Sequence, residues 1–586
     1  MAAGALVVVG LGGWVVFRTW QAYSALTDAR ATIADTLQLS VQDLLDGGTD
    51  RIAGAVDRLQ EQSGRARDAV DDPVFSLATR LPFVGADLSG VKTIATTVDG
   101  IATQVLPPLV GLAGVVDPAV LLPQDHQFDL NPIIAAAPGL RHADDEVRSY
   151  LRQVADIRRD DVMTAIGSAA DELSDRLTTV SSVTSRAATV TELIPPMLGS
   201  EGTRRYLVLF QNLAEARSTG GMFGSYAVMT VDHGRIVVGG QGATQRTIDR
   251  FDAPVAPLSA DELNLYGLNI ATISMDVNFT PDFPRAAALF SLMYQKRVDP
   301  APIDGAIAVD PVALAGILKG YPPIDIGGTT VAASNLASFL LSDIYRMFPD
   351  DRDKTQRDTF TAAATGLALE SLMSPPTDAA RALRGARQGI ADHRLLVYSA
   401  HPDEQSTLAD IGLTGELPAV DVAGRPTFMV ALADRTFRGS KLSFYLSGAT
   451  TLTAGSCATD GSREVTMRMD LTFAGPASGL LEEISGSGPK AYTLTDEFRV
   501  YAPTGATFTA ADVDGTPVEI THGSDFGREA GLFQTDFPPQ SRKTVTLHFE
   551  LPAPGVDDPG SVTPEVRIPP AVTAWPVDAP EFDACR

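Results

Sequence analysis

The chain has 586 residues, a net charge of −26 at neutral pH, 44% hydrophobic residues and 20% charged residues. That length exceeds a single hydrophobic core and implies roughly two to four domains. The composition excludes a disordered chain, and the acidic balance excludes a nucleic-acid partner, which needs a basic surface to meet phosphates.

The first element is AAGALVVVGLGGWVVF, residues 2–17, which carries no charge, with Trp14 and Trp20 placed for a membrane interface. It is shorter than the roughly 20 apolar residues of a usual span, and no Lys or Arg precedes it to set an orientation. No small-x-small cleavage site leads into a polar mature start, so the reading is an uncleaved single-pass anchor over residues 1–20. A buried core helix at the terminus is the alternative. Residues 21–200 then read as a helical stalk or bundle. Apolar positions recur at three and four from about 20 to 72, with Gly47 and Gly48 breaking the run and Asp72-Pro73 ending it. Further helical sets cover about 86–115 and 143–193.

After Ile194-Pro195-Pro196 the pattern changes. RYLVLFQN (205–212), YAVMTVD (226–232) and RIVVGG (235–240) read as strands, the last two joined by an Asp232-His233-Gly234 hairpin. Helical patterns at 284–297, 311–321, 333–348 and 359–373 alternate with strands at 304–310 and 394–400. This grammar predicts an α/β domain over 201–405. From about 418 the signals are short alternating strands separated by Gly, Pro and Asp, so 406–586 is expected to be a β-sandwich. Cys457 and Cys585 are the only cysteines. In a reducing compartment they would be incidental; outside the membrane they would form a disulfide tying down the Pro-rich tail.

No Walker loop, HExxH, GxSxG or GxGxxG is present, and none of the seven histidines has metal-ligand spacing. Three charged segments remain. In NLAEARSTGGMFGSY, Asn212, Glu215, Arg217, Gly220 and Gly221 precede a strand. This is either a tight turn with a local ion pair or an anion-binding corner in which glycines bring N–H groups close and Arg217 grips a phosphate. In SMDVNFTPDFP, Asp276, Asn278 and Asp282 offer three oxygen ligands before a helix, which fits a hard cation such as Mg²⁺ or a helix cap. In PDDRDKTQRDTF, Lys354 and Arg357 sit where a helix begins, a natural anion site or a solvated loop.

The order of these segments resembles the LytR-CpsA-Psr domain. Arg217-Ser218-Thr219, Val277-Asn278, Ile303-Asp304-Gly305 with Val309-Asp310, and Lys354-Thr355-Gln356-Arg357-Asp358 fall where that family has its motifs. More closely, residues 203 to about 460 resemble a bacterial membrane-anchored family known as a domain of unknown function, number four-zero-one-two. NLAEARSTGGMFGSY, DVNFTPDFP, IDGAIAVDP and FRGSKLSFYL carry that likeness, which brings no activity with it. The LytR-CpsA-Psr resemblance implies a mixed sheet with flanking helices outside the cytoplasmic membrane. It implies binding of a polyprenyl-pyrophosphate-linked glycan and its transfer, with phosphate, to cell-wall polymer. Arg217, Lys354 and Arg357 would contact pyrophosphate as the catalytic set. Asn212, Glu215, Gly220, Gly221 and Asn278 would support the ligand, and Asp276 and Asp282 would hold Mg²⁺. The chain departs from that pattern at Thr219, Lys354 and Asp358-Thr359. Lys loses the bidentate fork of Arg, and Asp358 repels phosphate. The expectation is therefore a membrane-anchored cell-envelope protein that is either a glycopolymer phosphotransferase or glycan binder, or a non-catalytic scaffold or adhesion module.

Overall fold

The computed structural model describes residues 13–29, 49–115, 126–348, 354–418, 420–422, 424–436, 439–555 and 560–585. Packing divides the chain into two units. One comprises residues up to Thr203 with Asp232–Arg235, and the other comprises Arg204–Val231 with Ile236–Arg586.

The first unit is helical. Residues 13–29 form a helix, followed by Thr49–Val70, Pro73–Ala78, Gly85–Gly100, Leu106–Val115, Asn131–Ala155 and Thr164–Met197. Asp72 does not merely end a helix. Its side chain accepts hydrogen bonds from the N–H groups of Val74 and Phe75 and caps the next helix, which opens on Pro73. Leu59, Ile94, Val147, Val154, Ile166 and Leu173 are among the side chains that make one core, because apolar residues three and four apart share a helix face. The predicted helix over 143–193 is two helices, broken at 156–163, and the second runs through Pro195 and Pro196 to Met197. Among the described residues no helix is long and apolar enough to cross a membrane. Residues 1–12 of the expected anchor, and Gly47 with Gly48, lie outside the described residues.

The second unit starts with a five-stranded mixed sheet. Its strands are β1 (Arg204–Arg217), β2 (Gly220–Asp232), β3 (Arg235–Ala243), β4 (Gly305–Val309) and, after a small hairpin of β5 (Ile324–Ile326) and β6 (Thr329–Val331), β7 (Leu395–Ser399). The order is β3-β2-β1-β4-β7, with β4 parallel to β1 and the pairs β1/β2 and β4/β7 antiparallel. His233 and Gly234 both take positive φ, 46° and 79°, which is the turn geometry that lets β2 and β3 twist together. The helix Phe283–Arg297 packs its aromatic face on the sheet: Phe290 meets Phe223 and Tyr226 edge-on, at ring separations of 5.8 and 6.1 Å.

The C-terminal part is β-rich. A five-stranded sheet contains β8 (Thr427–Asp434), β11 (Leu494–Tyr501), β14 (Thr521–Asp525), β15 (Arg528–Phe537) and β18 (Glu565–Arg567). A six-stranded sheet contains β9 (Leu446–Cys457), β10 (Arg463–Phe473), β12 (Thr507–Val513), β13 (Thr516–Pro517), β16 (Ser541–Leu551) and β19 (Val577–Asp578). A minor pair, β17 (Ser561–Val562) with β20 (Phe582–Asp583), closes the end. Every residue of β8 is buried. Because successive side chains point to opposite faces, Phe428, Val430 and Leu432 enter the core between the two sheets. Met429, Ala431 and Ala433 enter the core of the mixed sheet. The α/β and β-rich parts thus share a strand with two apolar faces and pack as one unit. Cys457 and Cys585 are disulfide-bonded across 128 residues of sequence. The Pro-rich tail is held by strand pairing as well, since β19 runs parallel to β9 and β18 to β8.

Candidate functional site

The site grows out of an irregularity in β1. Asn212 pairs with Met222, yet the next pair is Ala216 with Gly221, so Leu213, Ala214 and Glu215 bulge from the ladder. A side chain on Gly221 would put its Cβ 2.4 Å from the backbone carbonyl of Asn212, and Gly220 has φ +129°. Only glycine accepts such close backbone approach and such a dihedral. The turn is stapled from inside. Gln211 Oε1 accepts from Thr219 Oγ1 at 2.8 Å and from Gly221 N at 3.4 Å. Asn278 Nδ2 donates to Thr219 Oγ1 at 2.9 Å and to the Gly221 carbonyl at 2.8 Å. Gly220, Gly221 and Asn278 therefore build the turn. The Gly221 N–H is taken by Gln211, both glycines lie in the β1/β2 pairing, and Asn278 is buried and does not line the cavity described next.

The bulge aims Glu215 and Arg217 into a cavity of about 520 Å³. Its apolar walls include Phe210, Met222, Ile273, Leu314 and Leu341, and Asn212 lines it while its Oδ1 accepts from the Ala214 N–H at 3.1 Å. Arg217 and Arg357, 140 positions apart in sequence, line the same cavity, and both are buried. Asp276, Asp434, Lys441 and Glu483 also line it, together with Arg250, Asp358 and Arg435. Lys354 opens the helix Lys354–Ser371; its side chain lies outside the described residues.

Each buried cation of the lining has a carboxylate partner. Arg217 donates from Nη2 to Glu215 at 2.9 Å and to Asp276 at 3.4 Å, and its guanidinium lies 4.7 Å from the Phe279 ring centre. Lys441 Nζ donates to the other oxygen of Glu215. Burial works against all three charges. Lys441 and Arg217 outweigh it at Glu215 and hold that carboxyl below its ordinary pKa, while Glu215 holds Lys441 and Arg217 above theirs. Arg357 is buried against Tyr345 and ion-paired with Glu483.

The remaining carboxyls behave differently. Burial pushes Asp276 up despite Arg217. Asp434 and Asp496 face each other across neighbouring strands, a costly position for like charges. Burial and mutual repulsion push Asp496 well above the carboxylate range, and neither of its oxygens has a hydrogen-bond partner. Burial likewise raises Asp434, whose oxygens accept from Ser440 Oγ at 2.5 Å and Thr436 N at 2.8 Å.

The expected cation pair does not form. Asp276 lines the cavity, whereas Asp282 caps the helix Phe283–Arg297 by accepting from the Arg285 N–H at 3.1 Å. Among the described residues no group of three or more His, Cys, Asp or Glu side chains is arranged to hold a metal. Asp276 and Asp282 do not fit Mg²⁺, because one is spent on Arg217 and the other on a helix N-terminus.

The sequence reading missed Lys441, Asp434 and Glu483, which come from the β-rich part. FRGSKLSFYL was the available signal: it sets Lys441 directly before Leu442, Phe444, Tyr445 and Leu446, and a cation buried with such a run demands a carboxylate partner. Arg435 and Arg499 were also unforeseen. Together with Arg217 they approach the Phe279 ring, at 4.8 and 4.6 Å from its centre.

Residues 201–345 match a family described as protein of unknown function (DUF4012). The match spans Glu215, Arg217, Asp276 and Asn278 and stops before Arg357. No curated protein matches the chain.

Proposed function

We propose that the chain is a membrane-anchored cell-envelope protein whose second unit binds a lipid-linked anionic glycan of the polyprenyl-pyrophosphate class. What supports the reading is that Arg217 and Arg357, both buried, line one cavity of about 520 Å³ whose walls mix polar side chains with apolar ones such as Phe210, Met222 and Leu314. That combination suits an amphiphile with an anionic head. The order of the charged segments, similar to that of the LytR-CpsA-Psr domain, points to the same ligand class. An extracytoplasmic place is supported by the disulfide, which persists in oxidising compartments, and by the apolar residues 2–17. The reading is one of binding. Among the described carboxylates of the lining, Glu215, Asp276, Asp358 and Glu483 each lie against a cation.

A second reading, a non-catalytic scaffold, draws on the same lining. Every buried cation there already has a carboxylate, so the pairs serve to weld the β-rich part to the mixed sheet. Mass spectrometry of organic extracts from the purified full chain separates the two. The binding reading expects a co-purifying polyprenyl phosphate. A clean extract, together with no binding of added polyprenyl pyrophosphate, leaves the scaffold.

A further inference from the structure

The first unit carries an exposed apolar surface at the edge of its core. The helix over residues 13–29 buries Ala22 and Ala25 against Ala66, Ala69 and Phe75. Its other flank leaves Trp20 and Tyr23 62% and 70% exposed. Beside it, in the segment after the helix Pro73–Ala78, Leu81 and Val84 are exposed and Phe83 is 100% exposed. Both elements wall one cavity of about 1080 Å³, lined by Val16, Trp20, Tyr23, Leu77, Leu81 and Val84. A cluster of this size open to water is costly and marks an interaction surface.

Two features identify what covers it. Phe83 holds φ +71°, a conformation rare for a bulky side chain, and thereby presents its whole ring outward. Arg80, in the same segment, is exposed, and its side chain makes no ion pair with a described residue. An apolar tip beside a cation, flanked by Trp and Tyr, is the chemistry of the zone between lipid headgroups and acyl chains. The helix over 13–29 also follows directly on the uncharged residues 2–12.

We propose that residues 77–84 and the exposed flank of the 13–29 helix seat on an anionic bilayer surface, with Leu81 and Phe83 in the acyl layer and Arg80 at the headgroups. The proposal rests on the membrane-anchored reading above and adds to it a second, peripheral contact.

Both native cysteines are bonded and no free thiol competes, so Phe83→Cys in the full chain offers a single labelling site at a position that packs against nothing. The bimane-labelled variant is reconstituted with vesicles of phosphatidylcholine and phosphatidylglycerol, and flotation is measured alongside fluorescence. The expected result is co-flotation, a blue-shifted emission, loss of intensity with nitroxide-bearing acyl chains, and protection from iodide. Co-flotation with a water-like, iodide-quenched label overturns the loop contact while leaving the anchor intact. Protection from iodide without nitroxide quenching, growing with protein concentration, assigns the surface to a second copy and also overturns it. Failure to float overturns the anchor reading and the loop contact together.

Discussion

The cavity of the helical unit is walled by Trp20, Tyr23, Leu77 and Leu81, whereas that of the second unit is walled by Arg217, Glu215, Lys441 and Arg357 among apolar side chains. The first exposes apolar surface that no described residue covers. The second buries charge and compensates every cation it buries. An open apolar wall costs hydration free energy that a bilayer relieves, while a buried ion costs several kcal/mol unless an opposite charge is fixed beside it. The two regions therefore answer to different tests: the helical wall to lipid, and the ionic cavity to loss of a single partner.

The largest effect is expected from Glu215→Gln, which strips Lys441 and Arg217 of their shared carboxylate. Breaking a buried pair typically costs about 3–5 kcal/mol, and urea unfolding of the second unit's transition reads it. A loss within experimental error would show that the pairs contribute nothing to the fold. Cys457→Ser with Cys585→Ser should cost about 2–4 kcal/mol, because the bridge closes a long loop in the unfolded chain. That effect should leave the ionic cavity's ligand affinity unchanged.

Next comes Gly221→Ala, which drives a Cβ into the Asn212 carbonyl. Overpacking of this kind costs about 1–3 kcal/mol. It should also shift the Arg217 guanidinium, so any ligand affinity should fall with stability. If Gly221→Ala were neutral, the bulge would not depend on that close approach.

The smallest effect is a slope. Burial raises the Asp282 pKa to about 7. The folded chain therefore holds a proton there that the unfolded chain releases near pH 4, so this contribution to stability is present at low pH and is lost as pH rises toward 7. Asp282→Asn keeps a good N-cap and removes the titration. The difference in unfolding free energy between wild type and variant should favour wild type at pH 4 relative to pH 7. A pH-independent difference would contradict the buried-cap account.

Much of this architecture was legible in the chain. Residues 205–212 and 226–232 are short apolar runs holding Val and aromatic residues, which marked parts of β1 and β2, and Gly234 marked the turn into β3. The charged segments around Arg217 and Arg357 were found because guanidinium groups flanking strands and helix starts are unusual outside solvent. Three things escaped. The bulge at Leu213–Glu215 depends on register against β2, which period alone does not encode, so Gly220 and Gly221 read as an anion nest when they serve the backbone. Asp282 and Asp276 lie close in sequence, but a helix start separates their directions. Lys441 and Glu483 lie more than 220 residues beyond Glu215, and they reach the mixed sheet through the shared strand β8 and through the turn after Lys441, where Ser443 Oγ accepts from the Ala216 N–H.

The central claim is the proposal that the ionic cavity takes an anionic amphiphile at Arg217 and Arg357. Isothermal titration of polyprenyl pyrophosphate into the full chain and into the double variant Arg357→Gln/Glu483→Gln tests it most directly, because the double change keeps the site neutral and spares the fold. The account predicts binding to wild type, and a loss of roughly 10- to 100-fold in the variant, the worth of one charge-assisted bond to phosphate. Equal affinity in the two proteins, or no binding to wild type, would contradict it.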